Sequence, residues 1–181
     1  SLGDFPILKK DLPDDLTVLS EASERRPHPE VVRFIISDLD SAATMMMPSS
    51  PDGNKNRLSS YAALLMKSRV ALYEASWLKN FRGTAFVPNG PGWPGANKDY
   101  NQGWQYEAGS IDAEIEWLLN QAIMAAEEVA GAFPLTPNNG VLQQAVSDAQ
   151  NQYFDLFSAE DMSDFSEVIL WRDYDLSLIH I

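Results

Sequence analysis

The 181-residue chain contains no cysteine and only two histidines, His28 and His180. The lack of cysteine excludes a disulfide, a thiolate metal site and a cysteine nucleophile, and it fits either redox compartment. His28 lies between two prolines, and His180 is next to the C-terminus. These positions disfavour a catalytic or metal-binding histidine, so we expect no metal and no cofactor.

Basic residues are also scarce, with 13 lysines and arginines against 26 acidic residues and a formal net charge of -13. This balance argues against a nucleic-acid backbone or an anionic membrane surface as the main partner. No apolar run reaches the ~20 residues that a membrane-spanning helix needs. The chain is nevertheless 45% hydrophobic, which is enough for the core of a domain of this length.

Signals for catalysis are weak. A glycosidase-like mechanism would use a pair of carboxylates, but with 26 acidic residues some pair is always available. No nucleophile, oxyanion site or phosphate-binding motif stands out, since Gly90-Pro-Gly-Trp-Pro-Gly95 is followed by no Lys-Ser/Thr pair. We therefore expect a protein that is not an enzyme.

Apolar periodicity predicts an all-α fold, with helices over 30–47, 57–81, 111–130 and 141–157. Ser59 or Ser60 and Ser110 are suited to cap two of them. Residues 1–29 are expected to be irregular, and 165–171 to be a strand or another extended segment. The order predicts two hairpins, at about 30–80 and 111–157, that are tetratricopeptide-like in architecture although that repeat's consensus is absent.

The helix over 57–81 organises this plan. Its small residues would let another helix approach closely. Its buried stripe is expected to consist of Tyr61, Leu64, Leu65, Val70, Leu72, Ala75 and Leu78.

The insertion over 82–110 differs in character, because six of the ten glycines lie there between prolines and aromatic residues. Long loops in compact domains are usually functional or disordered, and aromatic residues disfavour disorder. Flat rings can cover the apolar faces of sugars while amides and carboxylates bind hydroxyl groups. The candidate ligand-binding residues are Trp93, Asn97, Asp99, Tyr100, Trp104 and Tyr106. The alternative is that these aromatic side chains fix the loop onto the helices.

The order and spacing of several short motifs resemble the SusD/RagB family of outer-membrane glycan-binding lipoproteins, over nearly the whole chain up to Arg172. The matching stretches include Gly3-Asp4-Phe5-Pro6-Ile7, Asp38-Leu39-Asp40, Arg57-Leu58-Ser59, Ser68-Arg69-Val70-Ala71-Leu72-Tyr73, Phe133-Pro134-Leu135 and Ser166-Glu167-Val168-Ile169.

This resemblance implies an oligosaccharide-binding protein of Bacteroidota, on the extracellular face of the outer membrane, that covers a SusC-like TonB-dependent transporter. Family members carry a signal peptide and a lipidated cysteine, and this sequence has neither. They are also longer, so we expect 1–181 to be one partial domain from the centre of a larger protein, with its last residues a cloning or assembly scar. Sugar-contacting residues do not transfer by motif. The alternative function is a tetratricopeptide-type scaffold that binds peptides or proteins without binding glycans.

Overall fold

The structure, a computed structural model, describes residues 3–142, 145, 148 and 150–172. Within these residues it is all-α, as predicted, and contains no strand. Its helices are α1 (Leu16–Ala22), α2 (His28–Met45), α3 (Ser60–Asn80), α4 (Ile111–Ala132) and α5 (Gln152–Ser158), with short 3-10 helices at Pro94–Asn97 and Asp99–Asn101. None of the helices in the described part is long and apolar enough to cross a bilayer.

Two predicted segments differ from the structure near the chain ends. The lead-in contains α1, whose first turn is capped by Asp15, a carboxylate that accepts a hydrogen bond from the Val18 amide at 3.0 Å. Residues 165–171 contain a turn at 166–167 and no strand. The single bridge among the described residues pairs Phe5 with Arg26.

The helix predicted over 141–157 is present only as α5. Residues 143, 144, 146, 147 and 149 lie outside the described residues, and 141, 142 and 150 are not helical. Asparagine side chains bind the backbone here. Asn151 donates to the Val141 carbonyl at 2.7 Å, and Asn139 donates to the Gln150 carbonyl at 2.8 Å. Such contacts compete with helical hydrogen bonds, and apolar periodicity does not reveal them.

Contact density divides the chain into two compact units, one formed by 1–40 and 66–125 and the other by 41–65 and 126–181. The first unit holds the main apolar core, to which α2, α3, α4 and the 82–110 segment contribute. Its buried members are Ile36, Ala71, Ala75, Leu78, Val87, Tyr106, Ile115, Leu118 and Ala122.

The predicted stripe of α3 is partly wrong. Ala75 and Leu78 are buried, but Leu65 is exposed and Leu72 has 51% of its surface exposed. The buried face instead carries small and charged side chains: Ala63, Lys67, Ala71 and Glu74. The predicted close approach is present, since the Ser68 hydroxyl donates to the Ala122 carbonyl of α4 at 2.9 Å.

The 82–110 segment is ordered by linked turns. The amides of Thr84, Val87, Gly90, Trp93 and Ala96 each donate to the carbonyl three residues earlier, at 3.1 to 3.4 Å. Pro88 and Pro91 occupy the second position of two of these turns, and the third residues, Asn89 and Gly92, have φ of 62° and 78°. Proline followed by a residue with positive φ is typical of type II turns.

Candidate functional site

The first unit contains a cavity of about 420 Å³, which we call the aromatic cavity. Three parts of the chain form its wall: the N-terminal segment and start of α2, one residue of α3, and the 82–110 segment. The lining residues are Gly3, Asp4, Arg25, His28, Trp77, Ala85, Phe86, Trp93, Pro94, Gly95, Lys98, Tyr100 and Asn101.

Asp4 connects two parts of this wall. Its Oδ1 accepts a hydrogen bond from the His28 amide at 3.2 Å, and its Oδ2 accepts one from the Trp93 indole at 3.0 Å. Burial raises the pKa of the Asp4 carboxyl group, against the opposing effect of these hydrogen bonds and of nearby cationic groups including Arg25. The carboxylate thus anchors the loop indole to the start of α2.

His28 is held by a carboxylate of α3. Its Nδ1 lies 2.5 Å from Oε1 of Glu74, and both residues are buried. Because the carboxylate accepts, Nδ1 carries the hydrogen of this contact, and in the neutral tautomer Nε2 has a lone pair. No donor among the described residues reaches Nε2.

Asn101, in the 82–110 segment, also has one side-chain atom that is hydrogen-bonded to described residues and one that is not. Its amide nitrogen donates to the carbonyl oxygens of Arg25 at 3.4 Å and Gly95 at 3.3 Å. Its Oδ1 is buried, and within the described residues it has no hydrogen-bond donor. A buried polar atom without a partner costs about 1–3 kcal/mol, so a hydrogen bond formed to either of these two atoms would be stabilising.

Two of the six predicted site residues line the aromatic cavity. Trp93 is buried, with 5% of its surface exposed, and packs against Gly95. Tyr100 is half-buried, and its carbonyl accepts from Arg26 at 2.5 Å. Both are brought to the wall by the turns of the 82–110 segment.

The other four lie outside this wall. Trp104 donates through its indole to Glu30 at 3.1 Å and lines a smaller cavity of about 250 Å³. Tyr106 is in the core, where its hydroxyl donates to the Pro88 carbonyl at 3.0 Å. Asn97 and Asp99 are exposed on the two 3-10 helices. For Trp104 and Tyr106 the geometry corresponds to the alternative prediction, in which the rings fix the loop.

The polar groups of the wall come from an aspartate, a histidine, an asparagine and two cations. A histidine oriented by a carboxylate is one half of a nucleophile–base pair, but the described lining residues include no serine, threonine or cysteine. Arg25 and Lys98 are exposed at the cavity. Within the described ranges no cluster of three or more histidine, aspartate or glutamate side chains could hold a metal ion.

Sequence reasoning missed most of the polar wall, including Asp4, His28 and Asn101. One signal was present: Glu74 lies three residues from Ala71 and four from Leu78, on the buried face of α3. A carboxylate at such a helical position predicts a buried partner. The flanking prolines of His28 argue against a functional histidine in the sequence, yet both prolines are buried at the start of α2.

Comparisons with known proteins add no identification: no family model, no curated protein and no solved structure matches the chain. The resemblance to the SusD/RagB family therefore rests on the sequence motifs alone.

Proposed function

We propose that the chain is a non-enzymatic glycan-binding protein and that the aromatic cavity is its binding site. The observation that carries this proposal is the composition of the wall, where Trp77, Phe86, Trp93 and Tyr100 alternate with polar groups. Aromatic faces cover the C–H surfaces of a sugar ring, and fixed polar atoms bind its hydroxyl groups. The cavity volume of about 420 Å³ is within the range of small-molecule sites.

The sequence motifs also suggest a cellular location and a partner for the chain. By their resemblance to SusD/RagB proteins, the chain would bind oligosaccharides at the extracellular face of the outer membrane. It would pass them to a SusC-like TonB-dependent transporter. Membrane attachment would be through a lipid anchor, as in that family.

A glycan array followed by calorimetry tests the binding site. Phe86 has 61% of its surface exposed at the cavity, so Phe86→Ala removes a stacking face without emptying the core. We expect at least fivefold weaker binding of the best array ligand, or about 1 kcal/mol. Phe157→Ala is the matched control, because Phe157 is 68% exposed on α5 and does not line the cavity. Equal affinities of the two variants would contradict the assigned site, and no binding to any glycan would contradict the function.

A second candidate is a tetratricopeptide-type protein-binding scaffold. The observation that favours it is the exposed apolar surface of α3, where Met66, Leu72 and Tyr73 are each about half exposed. A peptide library and the glycan array separate the two candidates. Peptide binding that Leu72→Glu abolishes, with no glycan binding, would support the scaffold.

A further inference from the structure

We propose that the aromatic cavity selects an uncharged, hydroxyl-bearing sugar over an acidic one, and that His28 and Asn101 make this selection. The inference deepens the proposed glycan binding and rests on it. It starts from two facts: both residues line the cavity, and each has a buried polar atom without a hydrogen-bond partner among the described residues.

The identity of both atoms as acceptors follows from their neighbours. A neutral His28 ring has its hydrogen on Nδ1, where it pairs with the Glu74 carboxylate, so that Nε2 has a lone pair. The Asn101 amide cannot be turned over, because its nitrogen faces the carbonyl oxygens of Arg25 and Gly95. Turning it would set oxygen against two oxygens.

An acceptor can be satisfied only by a ligand that brings a donor. A sugar hydroxyl donates, whereas a carboxylate or sulfate group in its place offers only acceptors and would leave the atom that it faces unsatisfied. The Asp4 carboxylate on the same wall adds negative charge that repels an anion. The cations Arg25 and Lys98 are exposed, so water screens their attraction.

Both acceptors have almost no exposed surface. A sugar hydroxyl can reach them only if neighbouring side chains of the wall move. The hydrogen bonds that then form offset the free-energy cost of this movement. A site built to bind a donor strongly rejects an analogue that lacks it.

The experiment compares methyl glucoside with methyl glucuronoside, and methyl galactoside with methyl galacturonoside, by calorimetry on the full chain. We add the neutral and uronic-acid oligosaccharides that bind on the array. The double variant His28→Phe/Glu74→Leu removes the acceptor without leaving a buried carboxylate unpaired. We expect it to weaken neutral-sugar binding about tenfold, the value of a lost hydrogen bond to a buried acceptor. Lys79→Ala, at an exposed residue of α3 that does not line the cavity, should change it less than twofold.

A second readout avoids dependence on the stability of the variants. In the wild-type chain, the side-chain nitrogen resonances of His28 report on both ring atoms. We expect a neutral sugar to shift Nε2 more than Nδ1, which Glu74 holds.

Every outcome is decisive. Preferential binding of uronic acids, especially if Lys98→Ala abolishes it, overturns the selection but leaves glycan binding intact. Neutral-sugar binding that neither affects His28 Nε2 nor responds to the double variant also overturns the selection. If no sugar of any kind binds, the proposed function itself fails.

Discussion

Trp93 stabilises the fold and also forms part of the aromatic cavity. Its indole N–H is bound to Asp4, and its ring lies against the backbone of Gly95. A methyl group at Gly95 would overlap ring atoms of Trp93. The absence of a side chain at Gly95 therefore sets the position of the cavity wall.

This packing gives the first prediction. Gly95→Ala should force the Trp93 ring to move, and overpacking of this kind costs about 1–3 kcal/mol of unfolding free energy. Gly131→Ala is the control, because Gly131 lies in α4 with no atom within 4 Å of the added methyl group. It should stabilise the chain by up to about 1 kcal/mol through helix propensity. Urea unfolding of both variants checks the prediction, and equal effects would contradict it.

Tyr106 gives the second prediction. Burial, together with the negative charges of Glu74 and Glu114, raises the pKa of its phenol. Tyr106 keeps its proton in the folded chain at a pH where the unfolded chain loses it. Its contribution to the free energy of unfolding is therefore constant below about pH 10 and decreases as the pH rises above that value.

To test this dependence, thermal unfolding of the wild-type chain and of Tyr106→Phe is compared at pH 8 and at pH 11. The variant loses the hydrogen bond to the Pro88 carbonyl, about 1 kcal/mol at pH 8, but should lose less stability between pH 8 and pH 11 than the wild type. An identical alkaline loss in both proteins would show that Tyr106 does not cause it.

At the residue scale, sequence predicted the aromatic members of the site better than the polar ones. Trp93 and Tyr100 were accessible to prediction because glycine, proline and aromatic residues cluster around them. The pairing of His28 with Glu74 joins residues 46 positions apart. Nothing in local composition specifies such a contact, so it required the tertiary fold.

At the scale of elements, α2 and α4 are joined by an ion pair whose carboxylate is buried and whose guanidinium is partly exposed. Arg33 donates through Nε to Glu114 at 2.7 Å and through a second nitrogen at 3.0 Å, and its guanidinium lies 3.8 Å from the Trp117 ring centroid. Glu114 also accepts from the Ala108 amide at 3.1 Å, so it ties the end of the 82–110 segment to α4.

The third prediction compares Glu114 with Glu116, an exposed residue of the same helix. Glu114→Ala removes the buried partner of the Arg33 guanidinium, which keeps its contact with the exposed Glu107, so we expect a loss of about 1–3 kcal/mol. Glu116→Ala should change the unfolding free energy by less than about 0.5 kcal/mol. Chemical denaturation checks both values, and a small effect at Glu114 would mean that the pair does not stabilise the fold.

The starts of the helices were predicted well where the apolar periodicity begins beside a serine that can cap the helix. Ser59 and Ser110 accept hydrogen bonds from the amides of Ala62 and Ala113, at 3.3 and 3.1 Å, and α3 and α4 begin within three residues of the predicted starts. Periodicity alone misplaced the buried face of α3, because the helix buries alanines and paired charges while Leu72 is exposed. In α3, therefore, large apolar side chains are not the buried ones and charged side chains are not all exposed.

At the scale of the whole molecule, the net charge of -13 favours uncharged ligands over anionic ones. The fourth prediction is that the affinity for a neutral oligosaccharide changes less than twofold between 50 and 500 mM NaCl, because no ion pair with the ligand is screened. Calorimetry at both concentrations measures this dependence. A steep loss of affinity with salt would indicate an anionic ligand instead.

The most direct test of the aromatic cavity as a glycan site is an NMR titration that follows the indole N–H signals of the five tryptophans. Trp77 and Trp93 line the cavity, whereas Trp117 and Trp171 do not. With the best neutral oligosaccharide from the array, we predict that the signals of Trp77 and Trp93 shift saturably and that those of Trp117 and Trp171 remain in place. Saturable shifts confined to Trp117 or Trp171, or no shift at any tryptophan, would contradict the assignment of this cavity.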